Sequence, residues 1–287
     1  YTNESIFAID DIPTDLLVIG GGPIGVELGQ AFSRLGSHVT IVERGPHILS
    51  REHPDMSEIV TNSFRDEGID IVTDTQIDRL TNGVAYSKQS NLEIPVTACL
   101  VGVGRTPNTA DLGLESIGVN QTQKGISVNQ YLQTSVPSIF AAGDVIGKYQ
   151  LSHAAEVESS TFIRNCIVPF RKSIPYEDVG WVTYTQPQIA TVGDVMDLEK
   201  NPAVTKHHLP FEDSDRIITD SVEEAKGYIY EKNGYIQGAT IVAPNASSLI
   251  QELILAKQEE IKLTAFAKKI VPYPTHAMVT KLAAVEY

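Results

Sequence analysis

The 287-residue sequence predicts an α/β protein, with a doubly wound parallel sheet at its start and an α+β region at its end. Three observations predict this. Short apolar runs alternate with amphipathic stretches through the first third of the chain. A cluster of glycines joins the first such run to the first such stretch. Beyond residue 171 the alternation gives way to β-rich runs separated by turn residues. Strand–helix alternation is the pattern of a parallel sheet covered by helices, and its breakdown marks a different layer arrangement.

Residues 16–19 form an apolar run of the kind buried in a parallel strand. A helical stretch over 24–35 follows, stopped by Gly36. Residues 38–42 give the next strand, 56–67 a helix started by Pro54 and Asp55, and 69–72 a third strand. Over 76–95, short apolar stretches are broken by Thr81-Asn82-Gly83 and by Asn91. Asn-Gly is a hairpin signal, so a small antiparallel insertion is expected. Residues 100–103 return to a buried strand. Residues 111–125 read as loop, 139–142 as a short strand and 151–167 as a helix. Pro169 and Pro175 mark a linker. Beyond it, strands are expected over 181–184, 203–209, 227–231 and 235–242, with a turn at Lys232-Asn233-Gly234, and helices over 247–258 and 275–284.

Composition narrows the function. The formal charge of −14 argues against a nucleic-acid binder, which needs a basic face to neutralise phosphates. No apolar run approaches the roughly 20 residues that span a bilayer, so no membrane partner is expected. Cys99 and Cys166 lack partners at metal or redox-motif spacing and read as two reduced, buried thiols of a cytoplasmic protein.

Gly20, Gly22 and Gly25, in the segment GGGPIG, stand at G-x-G-x-x-G spacing. The spacing alone is a weak signal, but here it follows a predicted strand, opens a helix and is followed by an acid, Glu43, at the end of the second strand. Gly20 permits a tight turn, Gly22 lets backbone approach a pyrophosphate and Gly25 lets helix and strand pack closely. The helix N-terminus offers unpaired N–H groups to phosphates. Glu43 could accept ribose hydroxyls, which favours NAD; Arg44 beside it could pair with a 2′-phosphate, which keeps NADP possible. The first domain is therefore expected to be Rossmann-like.

Three further segments carry a resemblance. VGVGRTPN over 101–108, TSVPSIFAAGD over 134–144 and TYTQPQIATVG over 183–193, together with GGGPIGVELG, resemble in order and spacing the pyridine nucleotide–disulfide oxidoreductases, such as dihydrolipoamide dehydrogenase, glutathione reductase and mercuric reductase. The likeness covers essentially the whole chain. It implies an NAD-binding domain over 1–118, a remnant of the FAD-binding domain over 119–171 and an α+β interface (dimerisation) domain over 172–287, in a homodimer. It implies that Gly20, Gly22, Pro23, Ile24, Gly25, Glu27 and Glu43 hold NAD, with Ile77 near the adenine and Gly104 near the nicotinamide. Asp144 would meet the ribityl chain of FAD, and Gln150, Leu151, Ser152 and His153 would line the flavin. In the family an acid at the position of Glu27 pairs with a lysine beside the flavin, but no lysine of this chain fits that motif. The alternative for Glu27 is an exposed acid in the first helical turn, favoured by the helix dipole.

The family also carries an earlier G-x-G-x-x-G for FAD and a Cys-x4-Cys redox pair, and neither is in this sequence. Position 1 is tyrosine, and truncation of a longer product is the expectation. The chain as given is then expected to bind FAD poorly and to leave disulfides unreduced. Near the end, IVPYPTHAM occupies the place of the family's terminal His-Pro-Thr region. Tyr273 stands where dihydrolipoamide dehydrogenase has its histidine base, and Met278 at the position of the orienting glutamate. Tyr273 is thus, with Glu27, a candidate catalytic residue, although a neutral phenol is a poor base at pH 7. His276 reads as a polar helix-start residue with no carboxylate close behind it. Two other readings stand beside the enzyme: a non-catalytic dinucleotide-binding or dimerisation protein, and a flavin enzyme using oxygen, peroxide or a metal ion as acceptor.

No resident metal is expected. His207 and His208 are adjacent on a predicted strand and point to opposite faces, so they do not easily share an ion. His47 and His53 read as surface loop residues. Trp181 and the tyrosines near it read as core of the last domain.

Overall fold

The computed structural model describes residues 1–88 and 90–286. They divide into two compact units, one formed by residues 1–103 with 180–287 and the other by residues 104–179.

The first unit begins with β1 (Asp15–Ile19), α1 (Pro23–Arg34), β2 (His38–Val42), α2 (Pro54–Asp66) and β3 (Asp70–Val72). The hairpin strands β4 (Arg79–Thr81), β5 (Val84–Ser87) and β6 (Leu92–Pro95) then lead into β7 (Ala98–Val101). A parallel sheet forms in the order β3-β2-β1-β7. Leu16, Leu17 and Val18 of β1 are all buried, as a strand with both neighbours paired and both faces covered demands. The hairpin turns at Asn82 and Gly83, both at positive φ, as the Asn-Gly signal predicts.

The second unit has little regular structure: the two-stranded β8 (Gln121–Thr122) and β9 (Gly125–Ile126), three short 3-10 turns and α3 (Ser152–Ile167). The strand expected over 139–142 does not form. Its backbone folds onto residues just before it, with Ile139 bonding to Val136 and Thr134 and Ala141 to Leu132, and only an isolated bridge between Gln133 and Phe140 results. A tight local return leaves too few residues for a ladder. On α3, Ala154, Glu158 and Thr161 face inward, whereas Val157, Ile163 and Ile167 are exposed.

The first unit resumes with β10 (Gly180–Thr183), β11 (Gln188–Val192), α4 (Val195–Glu199), β12 (Thr205–His208) and α5 (Asp215–Thr219). It closes with β13 (Lys226–Lys232), β14 (Tyr235–Ala243), α6 (Ala246–Gln258), α7 (Thr264–Ala267) and α8 (Met278–Glu286). The strands build an antiparallel sheet in the order β10-β11-β14-β13-β12. β11 was absent from the expected strands because Pro187 precedes it and its short run carries no clear alternation; it is nevertheless buried on both faces. Alternation along these strands splits the core in two. Ile189, Tyr228, Tyr230 and Val242 join the apolar cluster of the parallel sheet. Ala190, Val192, Ile229 and Ile241 pack instead with Leu249, Ile250 and Leu253 of α6. Each such fully buried aliphatic side chain contributes about 1.5–3 kcal/mol relative to exposure.

The burial expected of both cysteines fails, as does the core placement of Tyr184, which is exposed. Cys99 is only half-buried and Cys166 lies exposed on the outer side of α3. No helix of the described residues is long and apolar enough to cross a membrane.

Candidate functional site

The glycine segment lies where β1 turns into α1. Gly20 has φ 106°, and a Cβ there would stand 2.6 Å from the Gly102 carbonyl oxygen. A Cβ on Gly25 would stand 2.0 Å from the Gly20 oxygen. At Gly22 a Cβ would meet nothing within 4 Å. Two glycines thus close the turn on itself, and the third faces open space at the start of the helix. Gly22 is the N-cap of α1, Pro23 sits in the first turn, and no side chain caps the helix. Its first N–H groups and partial positive charge are therefore directed to whatever approaches. Helix α2 differs: His53 Nδ1 accepts the Asp55 N–H at 3.2 Å and caps it. His53 is accordingly buried and not a surface loop residue, a correction to its reading from sequence. His47 is half-buried, its ring 2.9 Å from the Ile48 carbonyl.

Glu43 directly follows β2, with both oxygens engaged by backbone. Gly21 N–H donates to one at 2.7 Å and Gly45 N–H to the other at 2.8 Å. Carboxylate oxygens have further lone pairs, so these bonds orient the group without exhausting it. Gly21 also accepts from Leu49 N–H at 2.7 Å, and a Cβ on Gly21 would fall 2.7 Å from Ile48. Gly21 lies outside the motif spacing and had no assigned role; the unbroken run of three glycines was the signal for it. Arg44 is exposed, Ile24 is half-buried, and Ile77 packs against the Leu17, Val42 and Ala85 cluster.

One stripe of α1 grips the turn after β10. Glu27 accepts the Tyr184 N–H at 2.7 Å. Gln30, 4% exposed, accepts the Gln186 N–H and donates to the Gln186 carbonyl, each at 2.8 Å. Arg34 donates to the Gln186 side chain and to Glu67. Glu27 is therefore half-buried and hydrogen-bonded to another segment, not an exposed first-turn acid. Positions 27, 30 and 34 share a helix face by spacing, but their partner lies far along the chain and could not be inferred.

In the second unit, Gly104 has φ 137° and is exposed, and Arg105 donates to the Gln150 carbonyl at 3.2 Å. Asp144 is exposed and follows Gly143 at φ 79°. Leu151 is the N-cap of α3, which no side chain caps, and Ser152 and His153 are exposed at its start. The side chain of Glu158, buried behind them, accepts the Gly143 N–H at 2.5 Å and the Tyr176 hydroxyl at 2.9 Å. A cavity of about 600 Å³ in this unit is lined by Ser127, Asn129, Lys148 and Tyr176 among others; none of Asp144, Gln150, Leu151, Ser152 or His153 lines it.

The terminal segment is closed by carboxylates from α5 and just beyond it. The Tyr273 hydroxyl donates to Asp215 at 2.6 Å, which pushes the phenol above its ordinary pKa. His276 has Nε2 3.0 Å from Asp220 and Nδ1 3.0 Å from Asn245. The absence of a carboxylate for His276 was thus wrong in space: Asp220 arrives from just beyond α5, far back in the sequence. Arg216 and then His276 hold the Asp220 carboxyl below its ordinary pKa. His208 packs edge-on against Tyr228, and His207 Nε2 lies 3.7 Å from Glu231. Among the described residues no cluster of three or more His, Cys, Asp or Glu converges as a metal site.

Known proteins are similar to this chain. Residues 1–159 match the family described as pyridine nucleotide-disulphide oxidoreductase, and residues 179–284 match that family's dimerisation domain. Dihydrolipoyl dehydrogenase of Geobacillus stearothermophilus is 34% identical over 287 residues, which cover 96% of this chain and 61% of that protein. Mercuric reductase of Staphylococcus aureus is 34% identical over 298 residues, covering 100% of this chain and 54% of its own length. Among solved structures, LpdA from Mycobacterium tuberculosis matches with a TM-score of 0.91 at 25% identity, over 99% of this chain and 64% of that one. The HOCl-induced flavoprotein disulfide reductase RclA from Escherichia coli shares the fold, with a TM-score of 0.90 at 22% identity over 99% of this chain and 67% of its own. The chain thus spans less than two thirds of the curated relatives it matches.

Proposed function

The chain belongs to the pyridine nucleotide-disulphide oxidoreductases, and from that premise we propose that it forms the NAD-binding and dimerisation portion of a flavin-dependent oxidoreductase, one that passes hydride from NAD(P)H to FAD and on to a disulfide or similar acceptor. One observation carries the reading: the start of α1 is uncapped, Gly22 faces open space, and Glu43 stands at the end of the neighbouring strand. That is the arrangement a dinucleotide's phosphates and ribose require.

The residues present fit both cofactors in kind. Residues 20–25 supply backbone N–H groups and close approach for a pyrophosphate, and Glu43 supplies acceptors for ribose hydroxyls. In the same reading Ile77 would lie near the adenine and Gly104 near the nicotinamide. Asp144, Gln150, Leu151, Ser152 and His153 would meet the flavin, with the uncapped start of α3 favouring negative charge there. When bound, the two cofactors supply the hydride chemistry. The protein residues hold and orient them. Glu27 steadies the helix that carries the dinucleotide, and Tyr273, protonated and tied to Asp215, donates a hydrogen bond and does not act as a base.

Residues 1–118, 119–171 and 172–287 are taken as dinucleotide, flavin and interface domains. The dimerisation-domain match supports a homodimer. A cytoplasmic setting and NAD over NADP belong to the same reading. The 287-residue chain by itself is proposed to bind FAD poorly and, since it holds no Cys-x4-Cys, to be inactive toward disulfides. Reconstitution with FAD tests this. A weak, substoichiometric visible flavin band is expected, and a full stoichiometric band would contradict it.

A further inference from the structure

We infer that Glu52 is a positioning residue for the dinucleotide site, tying the loop that shapes the glycine turn to the five-stranded sheet. The inference rests on the reading of residues 20–25 as that site.

The loop after β2 touches the turn at several points. Gly21 N–H donates to Glu43, Leu49 N–H donates to the Gly21 oxygen, and Ile48 packs where a Gly21 Cβ would be. Both polar groups of the Gly21 peptide position are therefore committed to this loop. Leu49 turns the loop back at φ 51°, and Ser57 Oγ holds it to α2 by donating to the Ile48 carbonyl at 2.7 Å.

The far end of the loop is fixed elsewhere. Glu52 is 2% exposed. Its two oxygens accept from Trp181 Nε1 on β10 at 2.6 Å and from Thr191 Oγ1 on β11 at 2.7 Å. Thr191 in turn bonds Thr240 on β14 at 2.8 Å. Arg51 lies over the Trp181 ring, 5.5 Å from its centroid. A buried carboxylate is a costly way to fill a packing position, because desolvation opposes its charge. It repays that cost only when both oxygens reach their donors, which allows the loop one register on the sheet. A slip of the loop would move Ile48 and Leu49 off Gly21 and reshape the turn that meets the pyrophosphate.

The same linkage runs in reverse. A ligand that shifts the turn displaces the loop, and the displacement arrives at Trp181, the chain's single tryptophan. Its emission therefore reports occupancy of the turn.

The probe is ADP-ribose, which lacks the nicotinamide and so does not quench tryptophan by energy transfer as NADH does. Binding is measured by calorimetry and by Trp181 emission on the full chain. In the unsubstituted chain, emission is expected to change in step with the heat. Glu52→Gln, which keeps an acceptor for the indole, is expected to bind within about threefold of the parent, while Glu52→Leu loses about tenfold or more in affinity and loses the emission change. If Glu52→Leu does not fold, Thr191→Val removes one of the two donors, and about a threefold loss is expected. A folded Glu52→Leu chain that binds ADP-ribose like the parent would overturn the inference, as would heat without an emission change in the parent. An absence of heat in the parent would instead remove the reading of residues 20–25, and the inference with it.

Discussion

The glycine turn at residues 20–25 carries one family motif and the terminal segment at residues 273–276 occupies the place of another, yet their polar groups are disposed in opposite ways. At the turn, backbone donors at the start of α1 have no side-chain cap, and Gly22 looks onto open space. At the terminal segment, Tyr273 is held by Asp215 and His276 by Asp220 and Asn245. The first arrangement leaves its backbone donors without a side-chain cap. The second has its polar groups met by side chains of the same unit. A motif position thus tells where chemistry could be done; the partners found in space tell whether the groups there are at liberty to do it.

The largest expected effect comes from closing the open region's turn. Gly25→Val places side-chain atoms where even a Cβ would sit 2.0 Å from the Gly20 oxygen. Dinucleotide affinity is expected to fall at least about a hundredfold, with a lower thermal midpoint, since overpacking against backbone has no cheap relief. Calorimetry and thermal melts check this. Parental affinity in a folded variant would break the contrast at its stronger end.

Glu43→Ala comes next. It strips acceptors from the Gly21 and Gly45 N–H groups as well as from the ribose side. NADH affinity is expected to fall about tenfold, and the gap to NADPH to narrow, because a carboxylate no longer repels a 2′-phosphate. Competition titrations with the two cofactors measure both changes.

The two helix starts sharpen the contrast at smaller scale. Unlike α1, α2 is closed by His53, and its Asp55 is met by the Tyr228 hydroxyl and by Lys226 Nζ. The hydrogen bond from Tyr228, with help from Lys226, holds the Asp55 carboxyl down to about 2, from 3.8. A depressed folded-state pKa means stability that is present above pH 3.8 and is lost as pH falls toward 2. The thermal midpoint of Asp55→Asn is therefore expected to lie below that of the parent at pH 5, and the difference to close between pH 4 and pH 2. A gap that persists at the lowest pH would show that the carboxylate's charge is not what matters. The smallest effect is expected from Tyr273→Phe. It removes an exposed hydroxyl bonded to Asp215 and should leave NADH affinity and the thermal midpoint unchanged within error.

Local signals made the open region legible from sequence. The glycine spacing, the apolar run before it and Glu43 after it all lie within one strand–helix–strand unit, where periodicity and turn chemistry speak directly. The hairpin at Asn82-Gly83 and the turn at Asn233-Gly234 were legible for the same reason. What stayed hidden depends on pairs distant in sequence. Glu27 and Tyr184, Glu52 and Trp181, and His276 and Asp220 meet only once distant parts of the chain come together. β11 went unseen because a strand buried on both faces beside a proline shows neither alternation nor length. His53 looked like a surface residue because nothing local marks a helix cap that is then covered by Tyr228.

Titration of the chain with NADH and with NADPH by calorimetry tests the central claim most directly. One NADH site per chain, tighter than the NADPH site, is the predicted result; heat from neither cofactor, or tighter binding of NADPH, would contradict the assignment of residues 20–25 and Glu43.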